Sequence, residues 1–98
     1  MDRSTIIAKL REREPELRAA GIMRLSLFGS VARGDASAES DVDLVAEFDP
    51  ARQFSLLDLV GLENRIADIL GARVELTSEK ALKEQIREHV QREAVLAF

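Results

Sequence analysis

Two short apolar runs, and what lies between them, constrain this chain more than any other feature. The run Leu25–Phe28 stops at Gly29-Ser30, and a second, alternating run begins at Asp41-Val42-Asp43-Leu44. The stretch reads as strand, tight turn, short helix and strand. Gly29 lets the backbone turn sharply, and Ser30 is expected to open the short helix, where unpaired N–H groups and the positive end of the dipole suit a phosphate. The Ser30 hydroxyl adds a donor. Side chains at i and i+2 on a strand share a face about 6.6–6.8 Å apart, so Asp41 and Asp43 can converge on hard divalent cations. Two such cations about 3.5–4 Å apart form the usual clamp for in-line phosphoryl chemistry. A Gly-Ser turn alone is just a turn, and an Asp-x-Asp pair alone is a solvated strand edge. Here both fall within 15 residues at predicted strand ends, and the two like charges oppose folding unless a cation binds.

The 98 residues suit one domain, spanning 1–98, in a size range where roughly 60–70% of the unfolded surface can be buried. A net charge of −4 argues against general nucleic-acid binding, which needs a basic footprint. Four Phe with no Trp or Tyr leave few rings for bases to stack on. The absence of cysteine excludes a disulfide framework, a thiol nucleophile and a thiolate zinc site, and fits a reducing compartment; the expected location is cytoplasmic. Ile6-Ile7-Ala8 is the longest N-terminal apolar piece, short of a signal core and of the ~20 residues a membrane span requires.

Ser4 is placed to cap a helix beginning at Thr5, broken by Pro15 near Arg13 or Glu14 and closed by Gly21. A strand over Ile22–Phe28 follows, then a polar loop over 35–40 in front of the site. A second strand from Asp41 to about Phe48 puts Val42, Leu44, Ala46 and Phe48 opposite the aspartates. Ser55 and Asp58 form a capping-box pattern, and Gly71 ends the helix they open. Its apolar stripe contains Glu63, whose head is expected in water at the stripe's edge, or against Arg33. Arg73–Thr77 alternates as a third strand with Glu75 on the polar face, offering a third carboxylate. A helical turn and a helix run from Ser78 to about Glu93, with His89 as a surface residue; the apolar tail 94–98 can finish the core or dock a partner.

Gly29-Ser30, ten residues, then Asp41-Val42-Asp43 resembles the signature of the DNA polymerase β-type nucleotidyltransferases. The wider pattern, Leu27 to Gly34 and Ser40 to Leu44, resembles the minimal nucleotidyltransferases (MNT) that pair with HEPN-domain toxins. The resemblance covers about residues 5–93. At one position the chain departs from the family: Glu75 stands where an aspartate is usual, with the same charge and an arm longer by one methylene. The resemblance implies an α+β fold: a small mixed sheet of about three strands, helices on one face and the site on the other. It also implies that Asp41 and Asp43 bind two Mg²⁺ ions, and that Glu75 binds one of them and assists deprotonation of the acceptor. Gly29, Ser30 and Arg33 would hold the triphosphate of ATP as substrate. The implied activity is transfer of AMP to a hydroxyl, a tyrosine above all, of a HEPN-type toxin, in a homo- or hetero-oligomer. Two alternatives stay open: an impaired relative that neutralises its partner by binding alone, and a small-molecule transferase. The last is disfavoured because one small sheet leaves little chain for a second pocket.

Overall fold

The structure is a computed structural model that describes residues 2–34 and 41–98. The polar loop expected over 35–40 lies outside the described residues. In chain order the elements are helices α1 (Arg3–Glu12) and α2 (Glu14–Ala19), strand β1 (Ile22–Phe28), helix α3 (Gly29–Arg33), strand β2 (Val42–Phe48), helix α4 (Leu56–Leu70) and strand β3 (Val74–Ser78). A single 3-10 turn (Glu79–Ala81), helix α5 (Glu84–Glu93) and strand β4 (Val95–Leu96) complete the chain.

Local chemistry accounts for most boundaries. Asp2, not Ser4, caps α1: its Oδ1 accepts the Thr5 N–H at 2.8 Å, and the helix therefore starts two residues earlier than expected. Arg13 ends α1, and Pro15 sits in the first turn of α2, where its missing N–H leaves no helix bond unmade. The Ser55–Asp58 capping box forms as the spacing predicts, and Gly71 closes α4 at a φ of +67°.

The sheet order is β3-β2-β1-β4, with β2 antiparallel to β1 and parallel to β3, and β4 antiparallel to β1. The fold is the expected mixed α+β arrangement, with a fourth, two-residue strand added to the expected three. That strand belongs to the apolar tail, which finishes the core: Phe98 accepts the Leu25 N–H through its carbonyl, and its ring is buried with Ala97. Arg18 lies 5.0 Å from the centre of that ring.

Leu25, Leu27, Leu44 and Ala46 point from one sheet face onto Ile6 and Leu10 of α1, Leu17 of α2, and Leu62, Ile66 and Leu70 of α4. The expectation of helices on one face holds for α1, α2 and α4. α5 departs from it, lining a cleft with Arg24, Ser26, Val45 and Glu47 from the other face. Its Val90 is buried outside the main core cluster. Glu63 takes neither expected role: its Oε2 accepts the Leu76 N–H at 2.9 Å, so α4 satisfies a donor on the outer edge of β3. Among the described residues no helix is long and apolar enough to cross a membrane.

Candidate functional site

Strand register brings the predicted carboxylates together. Asp43 is paired with Phe28 on β1 and with Glu75 on β3, so Asp43 and Glu75 stand side by side on adjacent strands about 4.8 Å apart. The chain turns into α3 directly after Phe28, placing Gly29 against the aspartate. Gly29 has a φ of +74°, and a Cβ built on it would lie 2.5 Å from Asp43 Oδ2. The carboxylate of Asp43 thus occupies the space a side chain at position 29 would need. Only glycine meets both demands, left-handed backbone and an absent Cβ.

α3 begins at Gly29, one residue earlier than expected, with Phe28 as its N-cap and no side-chain cap. Its leading N–H groups have no intrahelical acceptor, by the geometry of any helix start. Ser30 is half-buried in the first turn. Val31 and Ala32 anchor the turn in the core, and Arg3 of α1 donates to the Ala32 carbonyl at 2.7 Å. Gly34 closes the helix at a φ of +78°.

The electrostatics are those of a crowded acidic site. The Asp43 carboxyl is raised above its ordinary value, first by lost hydration, then by the charge of Glu75 and a hydrogen bond with it; Asp41 adds to the rise and Arg33 opposes it. Asp43 therefore holds its proton more readily than an isolated aspartate would. Asp41 does not complete a cluster with them. Its Oδ1 lies 3.1 Å from Arg73 Nε in a solvent-exposed ion pair, and among the described residues no three acidic or histidine side chains are placed to hold one metal ion. The donor chemistry nevertheless fits a hard divalent cation: the site offers carboxylate oxygens only, and a cation between Asp43 and Glu75 would balance the charge that raises the Asp43 carboxyl.

Arg33 reaches toward the site from the last turn of α3. Its Nη1 lies 3.8 Å from Glu93 Oε2 on α5, and the same oxygen is 3.3 Å from His89 Nε2. His89 is exposed, as expected. Sequence reasoning missed Arg73 and Glu93. Arg73 was within reach: once Val42 is paired with Val74, the preceding residues of the two strands, Asp41 and Arg73, also become neighbours. Glu93 carries no comparable signal, because its place depends on where α5 returns to the sheet.

Beyond the carboxylates, the same sheet face carries Ser26 and Val45, then Arg24 and Glu47. A cleft of about 290 Å³ rises from these four residues, walled by Glu79, Leu82 and α5 residues such as Arg87. The chain thus has room for a pocket apart from the carboxylates, contrary to the expectation from its length.

Comparisons with known proteins agree with this fold. Residues 4–97 match the nucleotidyltransferase domain family. The protein adenylyltransferase MntA of Thermococcus cleftensis is 39% identical over 75 residues, 76% of this chain and 74% of that protein. A solved structure described as a minimal nucleotidyltransferase superposes with a TM-score of 0.82 at 39% identity, covering 97% of this chain and 95% of that one. A chain from the complex of a tri-AMPylated Shewanella oneidensis HEPN toxin with an MNT antitoxin has a TM-score of 0.68 at 16% identity, over 93% of this chain and 70% of that one, a likeness of fold.

Proposed function

We propose, from the premise that this chain belongs to the nucleotidyltransferase domain family, that it transfers AMP from ATP to a hydroxyl on a partner protein. In this reading it is the antitoxin of a HEPN-type toxin, and the acceptor is a tyrosine of that partner. The observation that carries the reading is the seat of Asp43: its carboxylate lies over Gly29 at the entry to α3 and beside Glu75. A triphosphate lying along the start of α3 would bring its α-phosphorus next to these carboxylates.

Each role falls to a named residue. Gly29 and Ser30 offer backbone N–H groups and a hydroxyl to the phosphates, and Arg33 adds positive charge. Asp41, Asp43 and Glu75 supply carboxylates for Mg²⁺, two ions in this reading, whose contribution would be to neutralise charge on the attacking and leaving oxygens. The acceptor oxygen bonds to the α-phosphorus, the bond from that phosphorus to the oxygen bridging to the β-phosphate breaks, and pyrophosphate leaves. Glu75 takes the acceptor's proton. The step depends on positioning more than on covalent chemistry, so a partner that holds its hydroxyl in place supplies much of the acceleration.

The test is to incubate the chain with ATP, Mg²⁺ and the product of the adjacent gene, and to measure intact masses. A gain of AMP units on the partner, lost in Asp41→Asn and reduced by orders of magnitude in Glu75→Gln, is the expected result. A tight complex without mass change would favour neutralisation by binding alone. The exposed Arg73–Asp41 pair favours that second reading, since it leaves Asp41 apart from the other two carboxylates. If the neighbour neither binds nor changes mass, a small-molecule acceptor moves ahead.

A further inference from the structure

Helix α4 turns an apolar side to the surface as well as to the core. Leu62, Ile66 and Leu70 are buried, so the helical period sets Leu57, Gly61, Asn64 and Asp68 along the opposite side, one above another. All four are exposed, as is Val60 beside them, and Leu56 and Leu57 are the most exposed large apolar side chains among the described residues. Between α4 and Arg13, at the junction of α1 and α2, runs an open groove of about 430 Å³ lined by Gly61, Asn64, Arg65, Asp68 and Ile69.

Gly61 is the anomaly on that side. Glycine in a helix interior is disfavoured against alanine, and no contact within the chain calls for it: a Cβ on Gly61 would meet nothing within 4 Å. A bare glycine on an outward helix face does permit the close approach of a second backbone. Residues 61, 64, 65 and 68 also stand at i, i+3, i+4 and i+7, the four corners of the hole that accepts one side chain from a facing helix. One turn before the first corner stands Leu57.

We propose that this face pairs with itself: two copies of the chain meet through antiparallel α4 helices about a two-fold axis at Gly61, and Leu57 of each fills the Gly61, Asn64, Arg65 and Asp68 hole of the other. The face is self-complementary in shape. Centring Leu57 on that hole puts the axis beside residue 61, so the first contact generates the second, as a closed two-fold interface requires. The two Gly61 residues then cross with no side chain between them, and Val60, next to the axis, meets its own copy. The charges choose the direction. The antiparallel register sets Asp58 of each copy beside Arg65 of the other, both exposed, whereas a parallel one would set Asp58 on Asp58 and Arg65 on Arg65. Within one chain Arg65 has an exposed pair with Glu16 at 3.8 Å, a contact of the weak kind that such an exchange can give up. α4 covers the sheet face that holds Leu44 and Leu76, and their neighbours Asp43 and Glu75 point the other way. Both carboxylate sites therefore stay open in the pair, and the proposal is independent of the chemistry they perform.

Sedimentation velocity on the full chain, from micromolar to millimolar, tests this. The expected result is a concentration-dependent dimer that Leu57→Glu weakens at least about tenfold, because the change removes an anchor at both ends of the interface. Glu88→Gln, an exposed change on α5, should leave it intact. Gly61→Gln should raise the Tm of the monomer, since it replaces glycine by a good helix former in open space, and yet dissociate the dimer. The chain has no cysteine, so cross-linking reports the register directly. Gly61→Cys should form a disulfide with its own copy in a glutathione redox buffer, whereas Asp68→Cys should not, because antiparallel helices crossing at residue 61 set the two residues 68 about 21 Å apart. A chain that stays monomeric at millimolar concentration, a dimer that survives Leu57→Glu in a variant with the parent's circular dichroism, or equal cross-linking at 61 and 68 would overturn the proposal. So would a monomer whose complex with the product of the adjacent gene is lost in Leu57→Glu, which would give this face to that partner instead.

Discussion

Replacing Gly29 with alanine would separate two demands that the structure places on one residue. The first is conformational: at a φ of +74° a residue with a Cβ is strained by about 1–2 kcal/mol. The second is spatial: the new Cβ would meet Asp43 Oδ2 at 2.5 Å, and moving that carboxylate off its rotamer costs about 0.5–1.5 kcal/mol more. The sum is about 1.5–3.5 kcal/mol, or a fall in Tm of roughly 6–28 °C for a domain this small. Gly29→Ala in an Asp43→Ala background should lose only the conformational part, because nothing then occupies the space over position 29. The double-mutant cycle therefore predicts a coupling of about 0.5–1.5 kcal/mol, measured by urea unfolding under circular dichroism with chelator present. A cost below about 0.5 kcal/mol, or an equal cost in both backgrounds, would refute the placement of Asp43 over the turn.

Three other outcomes follow from the described contacts. Because the Asp43 carboxyl is raised above its ordinary value, the folded state binds that proton more tightly than the unfolded chain; metal-free stability should fall as pH rises from about 4 through the raised value and level off above it. Asp43→Asn should remove that component, seen as the parent-minus-variant difference in urea midpoints across pH. Arg73→Ala should change stability by less than about 1 kcal/mol, since its pair with Asp41 is exposed, and should tighten Mn²⁺ binding followed by electron paramagnetic resonance; weaker binding would count against a restraining role. Glu63→Ala should cost about 1–2 kcal/mol by leaving the Leu76 N–H without its acceptor, while Glu63→Gln should recover most of it by urea titration.

The sequence made the centre of this fold legible because two periodicities and a turn coincide there. β1, β2, β3 and α4 were readable within a residue or two, since alternation, the Ser55–Asp58 box and Gly71 are local signals. What stayed hidden depends on contacts between distant segments. The two residues of β4 carry too short a pattern to announce a strand, and pairing with Leu27 and Ser26 is what makes them one. Phe98 and Leu57 are both apolar. Phe98 is buried beside β1, whereas Leu57 is 82% exposed on α4, a difference that neither neighbourhood in the sequence encodes. Glu63 stands within an apolar stripe, but its partner is a backbone N–H thirteen residues on, and backbone partners leave no trace in residue identity. At the site itself, the i, i+2 spacing puts Asp41 and Asp43 on one face of a strand, whereas β2 begins at Val42 and leaves Asp41 just ahead of it, paired with Arg73.

That division of the carboxylates bears on how a nucleotide-binding site can fold before its ligand arrives. Three acids on neighbouring strand positions repel one another, and the described contacts lower that repulsion in two cheap ways. The Asp43 carboxyl, raised above its ordinary value beside Glu75, takes up a proton more readily, and a guanidinium is set against Asp41 at the surface. Neither is strong: the first is lost by a rise in pH, and the second is an exposed pair of the kind worth about 0 to 1 kcal/mol. On the proposed reading, Mg²⁺ entry would displace Arg73 from Asp41 and, at acidic pH, the proton from Asp43, so the apparent affinity should rise with pH until Asp43 is ionised. Arg73, once released, stands at the start of β3 beside Glu75, the carboxylate assigned to the acceptor's proton. A deep, permanent ion pair would have given a more stable apoprotein and a poorer site, because the energy of breaking it would be subtracted from every binding event.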